Sequence, residues 1–129
     1  MVNMEPSIFK SDYRFEKAGK DCIQQMLEKG TDCSAIICAY DNIAFGAMKE
    51  LRKHGYRVPE DFSIIGIDNI NISEYMDTSL SSIGVDPNEV CMIAWDLLSK
   101  KLKNQYFHSN QKIILRGNLI LRESVAKKL

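Results

Sequence analysis

Residues 35–69 read AIICAYDNIAFGAMKELRKHGYRVPEDFSIIGIDN, and this stretch decides the fold. Ala35-Ile36-Ile37-Cys38-Ala39 is apolar at every position instead of alternately, the pattern of a strand in a parallel sheet with helices on either face. Asp41 then stands where a helix cap belongs. Ala44, Ala47, Met48 and Leu51 fall at i, i+3, i+4 and i+7, and Gly55 closes the helix. After the turn Val58-Pro59-Glu60-Asp61, Phe62 to Ile67 repeats the buried-strand pattern. The stretch is therefore a βαβ unit, with a right-handed crossover expected.

Working outward, Phe15, Ala18, Cys22, Ile23, Met26 and Leu27 recur at helical spacing ahead of Gly30 and predict a helix over about residues 14–29. Beyond Asp68-Asn69 the segment to Thr78 is irregular and polar, and Leu80 to Val85 reads as a short strand. Asp86-Pro87-Asn88-Glu89 then supplies a capping residue, a proline at the first helical position and a glutamate three residues past the cap. The helix it opens, residues 86–104, carries Val90, Ile93, Ala94, Leu97, Leu98 and Leu102 on one face with Trp95 beside it. Ile113-Ile114-Leu115 and Leu119-Ile120-Leu121, split by Arg116-Gly117-Asn118, form a hairpin by local rules alone.

At 129 residues the chain has a one-domain length and can bury a real core. With 45% hydrophobic and 26% charged residues and no biased tract, disorder, collagen and coiled coil are set aside. Lys plus Arg, at 17, equals Asp plus Glu, so no positive field favours a stand-alone nucleic-acid binder. Cys22, Cys33, Cys38 and Cys91 form no CxxC pair, and buried free thiols in a reducing cytosol are expected. MVNMEPSIFK has no signal-peptide core and no apolar run is long enough to span a bilayer, so a cytoplasmic location and no membrane partner are expected.

In doubly wound α/β proteins ligands sit beyond the carboxyl ends of the strands, which here means Tyr40, Asp41, Asp68 and Asn69. Two carboxylates at neighbouring strand ends can hold a metal, act as acid and base, or accept hydrogen bonds from sugar hydroxyls. The bland reading makes Asp41 a helix cap, which is preferred, and Asp68 a turn residue, which weighs evenly against a ligand role. His54 and His108 lie far apart and read as surface histidines. No GxSxG elbow, GxGxxG or Walker-type string occurs, and Met48, Met76 and Met92 read as core or interface filling. No catalytic residue, cofactor or resident metal is implied.

The string from Ala39 to Ala47, followed by Gly55 to Asn69, closely resembles the effector-binding core of the lac and gal repressor family of bacterial transcription regulators. Leu80-Ser81-Ser82-Ile83 looks like that family's Leu-Thr-Thr-Ile/Val segment, and Leu121-Arg122-Glu123-Ser124-Val125-Ala126 looks like its Val-Arg-Glu-Ser-Thr/Val-Ala. Gly19 falls on the glycine opening the family's first matched helix, so the resemblance spans about residues 12–126. It covers the last two fifths or so of such a regulator. Its helix-turn-helix headpiece, hinge helix, first half of the N-terminal lobe and opening strand and helix of the C-terminal lobe are outside it.

The resemblance implies an α/β fold, a parallel sheet with flanking helices as in a partial periplasmic-binding-protein-like, Rossmann-like lobe. Residues 1–78 would be the C-terminal-lobe part of a single effector-binding and dimerisation segment, and 79–129 its crossover helix and C-terminal strands. Residues 111–124 would then run extended between lobes instead of forming a hairpin. Position by position, Asp68 matches the aspartate that binds effector hydroxyls, Tyr40 replaces the usual Asn before the capping Asp and so alters specificity, and Tyr13 lies near the family's stacking aromatic. Ala44, Met48 and Leu51, with the segment around Tyr75, would form a homodimer interface. The implied function is sensing of a small effector, a sugar or nucleoside, to control DNA binding by a headpiece outside this chain, with no enzymatic step. A receptor-type sugar-binding protein, a dimerisation module and, more distantly, a metal enzyme using Asp41 and Asp68 are the competing readings.

Overall fold

The computed structural model describes residues 6–30, 32–103 and 111–127. In chain order come α1 (Phe15–Lys29), β1 (Ala35–Ile37), α2 (Asp41–Lys53), β2 (Ser63–Ile67), a single 3-10 turn (Asn71–Glu74), β3 (Ser81–Gly84), α3 (Pro87–Lys103) and β4 (Asn118–Ile120). The strands form one sheet in the order β1-β2-β3-β4. The first three are parallel, with Ile36 beside Ile64 and Gly66 beside Ser82, and β4 runs antiparallel to β3 with Leu119 beside Ile83. The α/β class and the parallel βαβ unit read from residues 35–67 are what the structure contains. The hairpin is not: among the described residues of 111–121 only Asn118–Ile120 is a strand, and it pairs with β3. A Gly-Asn dipeptide sets a turn only where two strands find each other, and β3 offers this segment a better partner.

The helix ends follow the sequence. Gly30 (φ 74°) ends α1 by donating its amide to the Leu27 carbonyl, and the Asp86 carboxylate caps α3 by accepting from the Asn88 amide at 2.9 Å. One apolar core joins Ile23 and Met26 of α1, Ala44, Ala47, Met48 and Leu51 of α2, and Cys38, Phe62, Ile64 and Leu80 around the strands. Burying each large side chain there is worth about 1.5–3 kcal/mol. The two helices touch backbone to backbone, because a Cβ on Gly19 would strike the Ile43 carbonyl and one on Gly46 the Glu16 carbonyl. The opposite face of the sheet is bare among the described residues: Ile37 is 75% exposed and Ile67 37%. The expectation of helices on both faces is corrected to helices on one, since an apolar strand records what must cover it without supplying the cover.

Glu50 ties the helix pair together. It is a buried residue whose Oε1 accepts from Gln24 Nε2 at 2.8 Å and lies 3.3 Å from His54 Nε2. Burial works to raise its pKa, but the Gln24 hydrogen bond, Lys53, His54 and Lys20 outweigh it and hold the carboxyl below the usual range. A depressed carboxylate stabilises the fold above its unfolded-state pKa, roughly 4.3, and that contribution is lost as pH falls through the folded value. Glu50→Gln should therefore lower stability by about 1 kcal/mol at neutral pH and converge with wild type in acid, as urea titrations at several pH values would register.

Candidate functional site

The carboxyl ends of β1 and β2 deliver Tyr40, Asp41, Asp68 and Asn69 to one end of the sheet, and the structure divides them by use. Asp41 does not cap α2. Tyr40 holds the N-cap position without a side-chain bond, and Asp41 is the first helical residue, 0% exposed. Its Oδ2 accepts from Ser73 Oγ at 2.6 Å and from the Ile70 amide at 2.9 Å, while Oδ1 accepts from Ser82 Oγ at 2.6 Å. Room for Oδ1 exists only because residue 66 is glycine, where a Cβ would collide with it. The corrected role is a buried acceptor joining α2, the 3-10 turn and β3. With both oxygens engaged, Asp41 is not available to share a metal with Asp68. Among the described residues no group of three or more His, Cys, Asp or Glu is placed to hold one.

Asn69 is engaged as well: its amide donates to Ser82 Oγ at 3.0 Å and its Oδ1 accepts from Arg122 Nη2 at 2.8 Å. That leaves Asp68 and Tyr40 facing outward chemistry. Asp68 adopts φ 110°, its amide donates to the Ile83 carbonyl at 2.8 Å, and its carboxylate is exposed with no hydrogen-bond or ionic partner among the described residues. It borders a cleft of about 350 Å³ with Ile67, Ile83, Gly84, Val85 and Gly117. A non-glycine residue in the left-handed region is uncommon, and such backbone gathers where a side chain must be aimed.

Tyr40 and Tyr13 line a second, larger cavity of about 980 Å³ that follows β1 and includes Phe9, Ile37 and Ile43. The Phe15 amide donates to Tyr40 Oη at 3.3 Å, and the two rings meet edge to face with centroids 6.0 Å apart. Tyr13 is half exposed, with Lys17 Nζ 3.6 Å from its ring centre. The structure thus brings the two tyrosines together and sets Asp68 at a neighbouring cleft.

Ala44, Met48 and Leu51, expected on a dimer surface, are corrected to core positions, because the α2 face they form packs onto β2 and α1 within the chain. Tyr75 is exposed. Of the cysteines, Cys38 is buried, Cys22 and Cys33 are partly buried and Cys91 is exposed on α3, which corrects the expectation of buried thiols throughout. All four are free. Burial, with Cys22 and Asp41 nearby, pushes the Cys38 thiol up to about 12, so it is inert as a nucleophile at neutral pH. His54 is exposed and paired with Glu50, while His108 lies outside the described residues. Met48 is in the core, Met76 is partly buried and Met92 is exposed. The residues that sequence reasoning passed over are Ser73, Ser82 and Arg122. Adjacent hydroxyls at Ser81-Ser82 in an otherwise apolar strand were the available signal for a buried polar partner.

Residues 2–125 match the family model of the periplasmic binding protein-like domain. The HTH-type transcriptional repressor CytR of Escherichia coli (strain K12) is 34% identical over 117 residues, covering 91% of this chain and 34% of that protein. The ribose operon repressor of Haemophilus influenzae is 32% identical over 118 residues, covering 92% and 35%. The chain thus spans about a third of the length of the curated relatives it matches. Among solved structures, a LacI family transcriptional regulator from Arthrobacter sp. FB24 in complex with lactose superposes with a TM-score of 0.79 at 31% identity, over 87% of this chain and 42% of that one. One from Enterococcus faecium with bound ribose gives 0.76 at 27% identity, over 87% and 41%. On the match over residues 2–125, the shared sheet and these homologies, the chain belongs to the periplasmic binding protein-like domain family, as a homologue of the lac-type repressors.

Proposed function

We propose that this chain is the effector-sensing portion of a bacterial transcriptional regulator. It would bind a small polyhydroxylated ligand, a sugar or nucleoside, and DNA would be engaged only through a headpiece elsewhere in the full regulator. The observation that carries this reading is the exposed Asp68 carboxylate, without a partner among the described residues and presented in left-handed backbone at the carboxyl end of a parallel strand. A carboxylate free of protein donors is suited to accept two vicinal hydroxyls at once. Ribose and lactose in related regulators support the ligand class. Tyr13 and Tyr40 line the larger cavity along β1, not the Asp68 cleft, and supply aromatic surface there for a sugar ring or base. The work is binding, not bond-making. A cytoplasmic location fits this role.

One lobe contacts one side of a ligand where typical sites bury about 70–90% of it, so affinity of the isolated chain is expected in the millimolar range. Titration of the 15N-labelled chain with D-ribose, lactose and adenosine, read by amide chemical shifts, tests the reading. At least one should shift Asp68 and its neighbours saturably, and Asp68→Asn should weaken that binding about tenfold or more while leaving the remaining spectrum in place. Saturable binding that Asp68→Asn leaves unchanged would remove Asp68 from the site. The chain is also expected to show no sequence-dependent DNA binding in fluorescence anisotropy at moderate salt, since its charge is balanced.

A further inference from the structure

The backbone that presents Asp68 is unusual in a way its own sequence does not explain. Asp68 (φ 110°) and Asn69 (φ 51°) are consecutive non-glycine residues in the left-handed region. Such a pair persists only where its surroundings over-determine it. Four contacts do so: Asp68 N–H to the Ile83 carbonyl, Asn69 N–H to Ser82 Oγ, Ile70 N–H to Asp41 Oδ2, and Asn69 Oδ1 from Arg122 Nη2. The first two acceptors are on β3 and the third is the Asp41 carboxylate at the start of α2. The fourth comes from 53 residues away along the chain.

Arg122 is well placed to fix that turn. Its amide donates to Ser81 Oγ at 2.8 Å and its Nη1 to the Leu80 carbonyl at 2.7 Å, so the guanidinium is anchored on β3 before its Nη2 reaches Asn69 at 2.8 Å. Next to it Ser124 locks the same segment to the sheet, with Oγ donating to the Ile64 carbonyl at 2.6 Å and accepting from the Ser81 amide at 2.8 Å. Asn69 has no freedom on its other side, because a Cβ on Gly84 would strike its Cβ. A planar guanidinium with donors in a fixed fork holds two acceptors at a set separation, which an ammonium does not.

We propose that Arg122 is a positioning residue for the candidate ligand site, holding Asn69 so that the adjoining Asp68 carboxylate stays presented to the cleft. This rests on the reading of Asp68 as the hydroxyl-binding group, and it adds that ligand affinity depends on the C-terminal segment, which does not line the cleft at Arg122. A purely structural Arg122 would lower stability without changing how Asp68 is held.

The experiment uses the whole chain, with Arg122→Gln, Arg122→Lys, Asn69→Gly and the Arg122→Gln/Asn69→Gly double variant. Positive φ brings an amide proton close to its own Hα, so a strong intraresidue NOE reports the turn without any ligand. Arg122→Gln should weaken this NOE at Asp68 and reduce D-ribose affinity about tenfold, with Arg122→Lys intermediate, while amides of α1 and α2 keep their shifts. Asn69→Gly removes the acceptor, so adding Arg122→Gln to it should bring no further loss. An unchanged NOE in Arg122→Gln overturns the proposal, as does an equal loss with and without Asn69. Should wild type show no D-ribose binding, the ribose reading of Asp68 fails separately, and the NOEs of the four variants still decide the role of Arg122. Should Arg122→Gln fail to fold, Arg122→Lys against Asn69→Gly makes the same comparison.

Discussion

Asp41→Ala is expected to lose about 3–5 kcal/mol of folding stability, a large part of the roughly 5–15 kcal/mol that holds an ordinary domain together. The substitution removes one acceptor group and strands three donors, the Ser73 and Ser82 hydroxyls and the Ile70 amide. Each buried donor left without a partner costs about 1–3 kcal/mol. Asp41→Asn is isosteric but brings an N–H₂ against groups that are donating, so an intermediate loss is expected, moderated by the freedom of a serine hydroxyl to turn and accept. Urea denaturation monitored by circular dichroism would measure both. A stability within 1 kcal/mol of wild type for Asp41→Ala would refute the role of Asp41 as the polar centre of the sheet's carboxyl end.

Asp41 also marks where reading the sequence stopped short. Its position, two residues after an apolar strand and just before a helical face, is the local signature of an N-cap, and propensity rules weigh only neighbours in the chain. What displaces the cap is a tertiary demand: Ser73 and Ser82, 32 and 41 residues away, carry hydroxyls into an interior that must satisfy them. The strands and helices themselves were legible because apolar periodicity and end signals are local. Gly30 and Asp86-Pro87 end and begin helices where they should. The role of α2 was only half legible, since periodicity identifies Ala44, Met48 and Leu51 as one face but not what covers it. Asp68 was legible as a strand-end carboxylate, whereas its left-handed backbone and the Arg122 contact depend on groups brought together by the sheet.

The chain is expected to self-associate, as a dimer at tens of micromolar. α3 is apolar around most of its circumference, yet none of its residues is buried, and Met92, Trp95 and Leu102 are each about two thirds or more exposed. A helix with that pattern belongs inside something. The same chain offers an uncovered apolar sheet face at Ile37, Ile67 and Leu119. Two copies related by a two-fold axis can each lend α3 to the other, so one exchange covers both surfaces twice. Covering each large side chain is worth about 1.5–3 kcal/mol, enough with several of them to exceed the ordering cost of association. Sedimentation equilibrium should therefore give twice the chain mass, and Leu98→Glu with Leu102→Glu should return it to one. That double variant should leave the urea midpoint of the diluted, monomeric protein nearly unchanged, because Leu98 and Leu102 are themselves exposed within their own chain. A well-behaved wild-type monomer at these concentrations would show that the exposed face of α3 has no affinity for a second copy.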